Sequence, residues 1–272
     1  FGIATPSPIP LFSFTSLSNK SARNFELDIF IFFSHILEIL VNNSRKANVK
    51  IIIAAGTTIS DSKKSVALTK KYKEIYAAVG IHPQNILDEK TNDYFEVISK
   101  LTEYKKTIMI SEIGLDYQEI SPEKKLQQDF FYNQLQLAKS KKLPVAFHVR
   151  NAEKDAIKLI DLAKINEMKS VAHYFSGDYE YAKKLLNKNV FISVTKPFLR
   201  DEKLANVIKK IPIDQLVIET DSYPQYFKKN RERWTEPKDL ELIITKLSLL
   251  KKIDAGVLYE KIEYNSKYIL NI

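Results

Sequence analysis

From about residue 26 onward the chain alternates short β-rich runs with longer amphipathic ones, and no other feature restricts its fold so strongly. The strand-like runs are "LDIFIF" (27–32), "KIIIAAG" (50–56), "IYAAVG" (75–80), "TIMISE" (107–112), "PVAFHV" (144–149), "SVAHY" (170–174), "VFISV" (190–194) and "QLVIET" (215–220). Helix-like runs separate them at 60–73, 92–104, 122–141, 152–165, 178–187 and 201–210. Within 122–141, Leu126, Phe130, Leu135, Leu137 and Ala138 recur at helical spacing. "SPEKK" before them offers an N-cap, with proline expected at the first helical position. The strand runs are apolar nearly throughout, as strands covered on both faces must be.

Eight such repeats with no second pattern predict one α/β domain, a (β/α)8 TIM barrel over residues 26–272. A doubly wound open sheet is the competing arrangement, but eight repeats in a chain of 272 residues fit closure better. Two further helical segments are expected at 238–250 and 254–268. Residues 1–25 read differently: they are rich in Ser and Pro, contain no acid and show no period, so an irregular N-terminal arm is expected there.

No run of about 18 apolar residues is present, so no transmembrane helix is expected. Cysteine is absent, which excludes disulfides, thiolate nucleophiles and cysteine-held metals. A cytoplasmic setting is expected, with organelle targeting left open by the N-terminal segment. The net charge of +9 favours polyanionic partners, although lysines spread along solvated helix faces would give the same sum.

In a barrel of this kind the chemistry gathers at the C-terminal ends of the strands. Glu112 ends the fourth run, His148 the fifth and His173 the sixth; Glu219 and Asp221 lie at the end of the eighth, and His82 follows the third. Each alone has an ordinary structural role, as a satisfied histidine or a turn carboxylate. Converged on one face, they form a nitrogen and oxygen donor set suited to Zn²⁺, Mn²⁺ or Mg²⁺. A divalent ion brings the pKa of bound water to about 7, so hydrolysis is the reaction class implied. Asp116 is expected in the loop after the fourth strand, ordering that loop or supporting a ligand. Glycine is scarce, and neither a P-loop nor a dinucleotide fingerprint is present.

The stretches "AAVGIHPQN" (77–85), "SEIGLDY" (111–117), "PVAFHVRNA" (144–152), "AHYFSG" (172–177), "VIETDSYP" (217–224), "NRERWTEP" (230–237) and "EYNSKYI" (263–269) together resemble the TatD-type metal-dependent hydrolases, whose members include DNases. The likeness runs from about residue 34 to the end, with the motifs in family order. The resemblance implies a TIM barrel holding one or two divalent metals and hydrolysing phosphodiester bonds, often exonucleolytically on DNA. By motif, Glu112 bridges two metals, His148 and His173 hold the second, and Asp221 serves the first and handles the proton of the nucleophilic water. His82 and Arg150 are implied as substrate contacts. DNA or another nucleic acid is the implied partner; no membrane is, and a monomer is favoured.

One departure from the family is plain. Members usually open with His-x-His on strand one, whereas "LDIFIF" puts Phe30 and Phe32 there, and His35 falls at the start of the first helix. Glu112 and Asp221 would then recruit the first ion together with substrate phosphate, or an abnormal N-terminus leaves the enzyme impaired. Two alternatives keep the barrel. One hydrolyses an amide, ester or aminoacyl bond; the other is a non-catalytic nucleic-acid-binding barrel with Tyr174, Tyr223, Tyr226 and Trp234 stacking on bases.

Overall fold

The computed structural model describes residues 14–16, 37–89, 93–222 and 235–272. Eight strands run parallel and pair in chain order: β1 (Phe14–Ser16), β2 (Ile52–Ala55), β3 (Ile75–Val79), β4 (Thr107–Asp116), β5 (Val145–Arg150), β6 (Ser170–Ala172), β7 (Val190–Val194) and β8 (Leu216–Ile218). Helices connect them: α1, described over 37–46, then α2 (Ile59–Lys71), α3 (Tyr94–Leu101), α4 (Lys124–Lys141), α5 (Glu153–Leu162), α6 (Tyr179–Leu186) and α7 (Glu202–Lys210). The chain ends in α8 (Leu240–Lys251) and α9 (Ala255–Leu270). This is the (β/α)8 architecture expected from the alternation. Among the described residues, no helix is long and apolar enough to cross a membrane.

Strand geometry sends successive side chains to opposite faces, and two separate apolar clusters follow from it. Ile51, Ile53 and Ala55 join Ala78, Met109, Ala146, Val171, Phe191 and Val217 in an interior cluster fed by β2 through β8 and by the residue just before β2. Ile269 and Leu270, from the last turn of α9, belong to the same cluster. The alternate residues, such as Ile52, Ala54, Ala77 and Val79, pack outward with the helices in a larger cluster that includes Phe131, Leu135, Ile160, Leu185 and Ile243. Asn265 pins α9 to the sheet, its Nδ2 donating to Ile213 O at 2.8 Å and Leu216 O at 2.7 Å.

The structure corrects three expectations. The partner of β2 is Phe14–Ser16, in register with Ile53–Ala55, inside the segment expected to be an irregular arm. Three residues joined by backbone pairing to one neighbour leave no periodic trace. The expected strand at 27–32, and His35, lie outside the described residues. Next, β4 does not stop at Glu112: it runs through a register shift to Asp116, so Asp116 is a buried strand residue and not a loop residue. Finally, α4 begins at Lys124, two residues after Pro122, whose carbonyl accepts from Gln127 Nε2 at 2.7 Å.

Gly114 explains how β4 extends. Its φ is +137°, and a Cβ there would lie 1.9 Å from the carbonyl oxygen of His148. Only a residue without a side chain lets β4 approach β5 this closely.

Candidate active site

Backbone hydrogen bonds carry the sheet's order into the residues around the site. Glu112 N–H donates to Gly56 O at 3.2 Å, His82 N–H to Thr57 O at 2.9 Å, His173 N–H to Phe147 O at 2.9 Å and Glu219 N–H to Val194 O at 3.0 Å. These four residues are thus anchored to a neighbouring strand or strand end. Tyr174 and Asp221 have φ of 46° and 44°, left-handed values that turn the chain sharply after β6 and β8.

His173 is the centre of the constellation. Its Nε2 lies 2.6 Å from Glu112 Oε1 and 3.9 Å from Asp221 Oδ1, and its Nδ1 lies 2.9 Å from Glu219 Oε2. The other Glu219 oxygen accepts from Tyr174 N–H at 2.7 Å. Burial alone would lower the His173 pKa, but the charges and hydrogen bonds of Glu219 and Glu112 raise it well above the ordinary value. The two carboxylates therefore favour the protonated ring, and a cation at Nε2 would take the place of that proton. Burial pushes Glu112 up in turn, yet His173, aided by His82 and His148, holds it well below the usual carboxylate range.

Asp221 carries the remaining strain. Burial, reinforced by the Glu112 and Glu219 charges, pushes it up to about 7 against the pull of His173 and Arg150. Three carboxylates thus surround one imidazolium, and one of them is forced toward its neutral form for want of positive charge.

A second group adjoins this one. His82 and His148 pack with ring centroids 5.2 Å apart. His148 Nε2 lies 3.2 Å from Asp116 Oδ2, which also accepts from Gln84 Nε2 at 3.0 Å and Gln118 Nε2 at 3.2 Å. Burial pushes Asp116 up, but the His148 hydrogen bond and charge, with smaller pulls from Arg150 and Gln118, keep it below its ordinary value. Burial drives His82 down to about 4, so it is a neutral imidazole near pH 7. Arg150, at the end of β5 and half exposed, brings its guanidinium to 3.9 Å from Asp116 Oδ2.

All six residues proposed from the sequence therefore lie in one neighbourhood. Ligand-type atoms within 4.8 Å of one another form two sets, Glu112 with His173 and Asp221, and His82 with Glu112 and His148. Glu112 is common to both. The donors are nitrogen and oxygen only, the cluster carries excess negative charge, and buried Asp116 Oδ1 has no hydrogen-bond partner among the described residues. These features fit a divalent cation. Sequence reasoning missed Gln84, although it lies within "GIHPQN", and gave Glu219 no partner. Tyr223, Tyr226 and Trp234, considered for base stacking, lie outside the described residues, as does most of "NRERWTEP".

The sequence pattern of the family described as "TatD related DNase" matches residues 29–271. An uncharacterized metal-dependent hydrolase of Buchnera aphidicola is 35% identical over 243 residues, covering 87% of this chain and 92% of that protein. The 3'-5' ssDNA/RNA exonuclease TatD of Erwinia tasmaniensis is 26% identical over 243 residues, covering 86% and 93%. The crystal structure of a TatD homologue from Escherichia coli K12 superposes with a TM-score of 0.81 at 24% identity, covering 96% of this chain and 98% of that one, which shows the shared fold. This chain belongs to the TatD-related DNase family.

Proposed function

We propose that the chain is a divalent-metal-dependent phosphodiesterase that removes nucleotides from the ends of single-stranded nucleic acid. The observation that carries this reading is the electrostatic debt at the strand ends, where Glu112, Glu219 and Asp221 surround the single His173 imidazolium and Asp221 is pushed up to about 7. The substrate class draws support from the Erwinia relative and from the net charge of +9, which raises the local concentration of a polyanion.

Glu112, His148 and His173 would hold one ion, and Glu112 with Asp221 would contribute to the other. Bound there, a divalent ion supplies a hydroxide nucleophile near neutral pH and polarises a phosphoryl oxygen. The protein's own groups do the rest. Asp221 would take a proton from the attacking water and return it to the leaving oxygen. His82, neutral and with its Nδ1 accepting from Gln84 N–H at 3.2 Å, offers Nε2–H to a phosphate oxygen. Arg150, half exposed at the rim, pairs with a neighbouring phosphate.

The first strand adds nothing to this set. Residues 1–25, which include β1, contain no His, Asp or Glu, so β1 cannot supply the usual histidine pair. The first ion then depends on Glu112, Asp221 and substrate phosphate, and it binds more weakly than in members with the pair.

Elemental analysis of metal-reconstituted protein, together with nucleotide release from single-stranded DNA in Mg²⁺ or Mn²⁺, tests the proposal. One tightly held ion per chain is expected, with release abolished by Glu112→Ala or His173→Ala. Intact DNA alongside Glu112-dependent hydrolysis of an ester or amide would move the substrate to a carbonyl. DNA binding unaffected by Glu112→Ala, with no metal retained, would make the chain a binding module.

A further inference from the structure

His82 and His148 lie side by side, and both fall within 4.8 Å of Glu112 in a set that distance alone would read as a second ion site. Hydrogen-bond directions divide them. Asp116 Oδ2 receives the side-chain amides of Gln84 at 3.0 Å and Gln118 at 3.2 Å, so it acts as an acceptor. The His148 Nε2 at 3.2 Å from the same oxygen must then bring its own proton. That leaves the lone pair of a neutral His148 on Nδ1. His82 is fixed from the other side: its Nδ1 accepts the backbone N–H of Gln84 at 3.2 Å, which places its proton on Nε2 as well.

Gln84 takes part in both arrangements, its backbone N–H setting one imidazole and its side-chain amide holding the carboxylate that sets the other. Asp116 is itself locked. It is 1% exposed, its backbone N–H donates to Gln127 Oε1 at 2.8 Å, and Gln127 Nε2 returns a bond to Asp116 O at 3.0 Å.

We propose that Asp116 and Gln84 are positioning residues that hold His148 and His82 in the same tautomer, making His148 a metal ligand through Nδ1 and His82 a hydrogen-bond donor that ligates no ion. A ligating histidine needs its other ring proton fixed by an acceptor, and His148 has one in Asp116. A neutral His82 whose Nδ1 accepts a hydrogen bond has no second lone pair to offer. This inference rests on the metal site proposed above.

The test is imidazole ¹⁵N NMR on the full chain labelled at histidine, metal-free at about pH 8, where an ordinary histidine is neutral. With four histidines in the chain, single substitutions assign the signals. Both His82 and His148 should show the proton on Nε2. Asp116→Ala should abolish the single-tautomer signature of His148, leave that of His82 unchanged, and weaken Zn²⁺ binding by about 10- to 100-fold in calorimetry. Gln84→Met should weaken Zn²⁺ binding by a few-fold, in the same direction. His82→Gln should leave Zn²⁺ affinity and stoichiometry unchanged.

A proton on Nδ1 of His148 or His82 in the unsubstituted chain overturns the proposal, as does loss of an ion on His82→Gln. The unsubstituted spectrum decides the tautomers even if Asp116→Ala fails to fold. Absence of Zn²⁺ binding by the unsubstituted chain would sink the proposed metal site, while the tautomers would still be read independently.

Discussion

Replacing Gly114 with alanine tests whether the site depends on the close approach of β4 and β5. The added methyl would sit 1.9 Å from the His148 carbonyl oxygen and 2.9 Å from both its carbonyl carbon and its amide nitrogen, all backbone atoms that cannot rotate away. Restoring an ordinary contact requires roughly 1 Å or more of strand separation, a displacement that by itself can cost about 10²-fold in rate at a catalytic centre. The φ of +137° adds backbone strain of about 1–3 kcal/mol for any L side chain, and overpacking adds about 1–3 kcal/mol. A total of about 4 kcal/mol is a large share of the 5–15 kcal/mol that typically holds a domain together.

Urea denaturation of Gly114→Ala, followed by circular dichroism, should show this loss with little change in slope. Gly256→Ala is the control. It makes the same chemical change in the first turn of α9, where the new methyl would meet only a side-chain oxygen of Asp254 at 3.1 Å, and it should stay within about 1 kcal/mol of the parent. If Gly114→Ala also stays within about 1 kcal/mol and retains nucleotide release, the reasoning about this approach is wrong.

Other outcomes follow from contacts already described or adjacent to them. Glu219→Ala removes a carboxylate beneath a buried imidazolium and the acceptor of Tyr174 N–H; a loss of about 3 kcal/mol is expected in denaturant melts. Asn265→Ala takes the donor from two backbone carbonyls, one at the start of β8 and one in the turn before it, and should cost about 2–3 kcal/mol, read by thermal unfolding. Arg45 on α1 grips Glu74 with two bonds, Nε to Oε1 at 2.8 Å and Nη2 to Oε2 at 3.2 Å, and this hydrogen bonding chiefly holds the Glu74 carboxyl below its ordinary range. A depressed carboxyl contributes stability above its unfolded pKa and loses it as pH falls through the folded one. Arg45→Met should therefore lower the denaturation midpoint at neutral pH and match the parent once Glu74 is protonated in both.

Where the sequence was legible, the reason was burial. Strands β2 to β8 are covered on both faces and read as apolar runs, and the polar residues interrupting their ends stood out for that reason: Glu112, His148, His173, Glu219 and Asp221. Strand β1 was not legible, because its three residues sit among serines and prolines and are specified by pairing with Ile53–Ala55. The extension of β4 was hidden by Gly114 and Asp116, residue types that usually end strands. Here one supplies room against β5 and the other a buried acceptor for His148. Gln84 showed no signal beyond its place in a motif, since its importance comes from β3 and β4 bringing its amide to Asp116.

The filled interior of the sheet has a consequence for traffic through the protein. Met109, Phe191 and Val217 occupy the space between the strands, and Ile269 and Leu270 pack into the same cluster, so among the described residues the interior of the sheet is filled. A substrate cleaved at the strand ends would then leave on the side by which it entered.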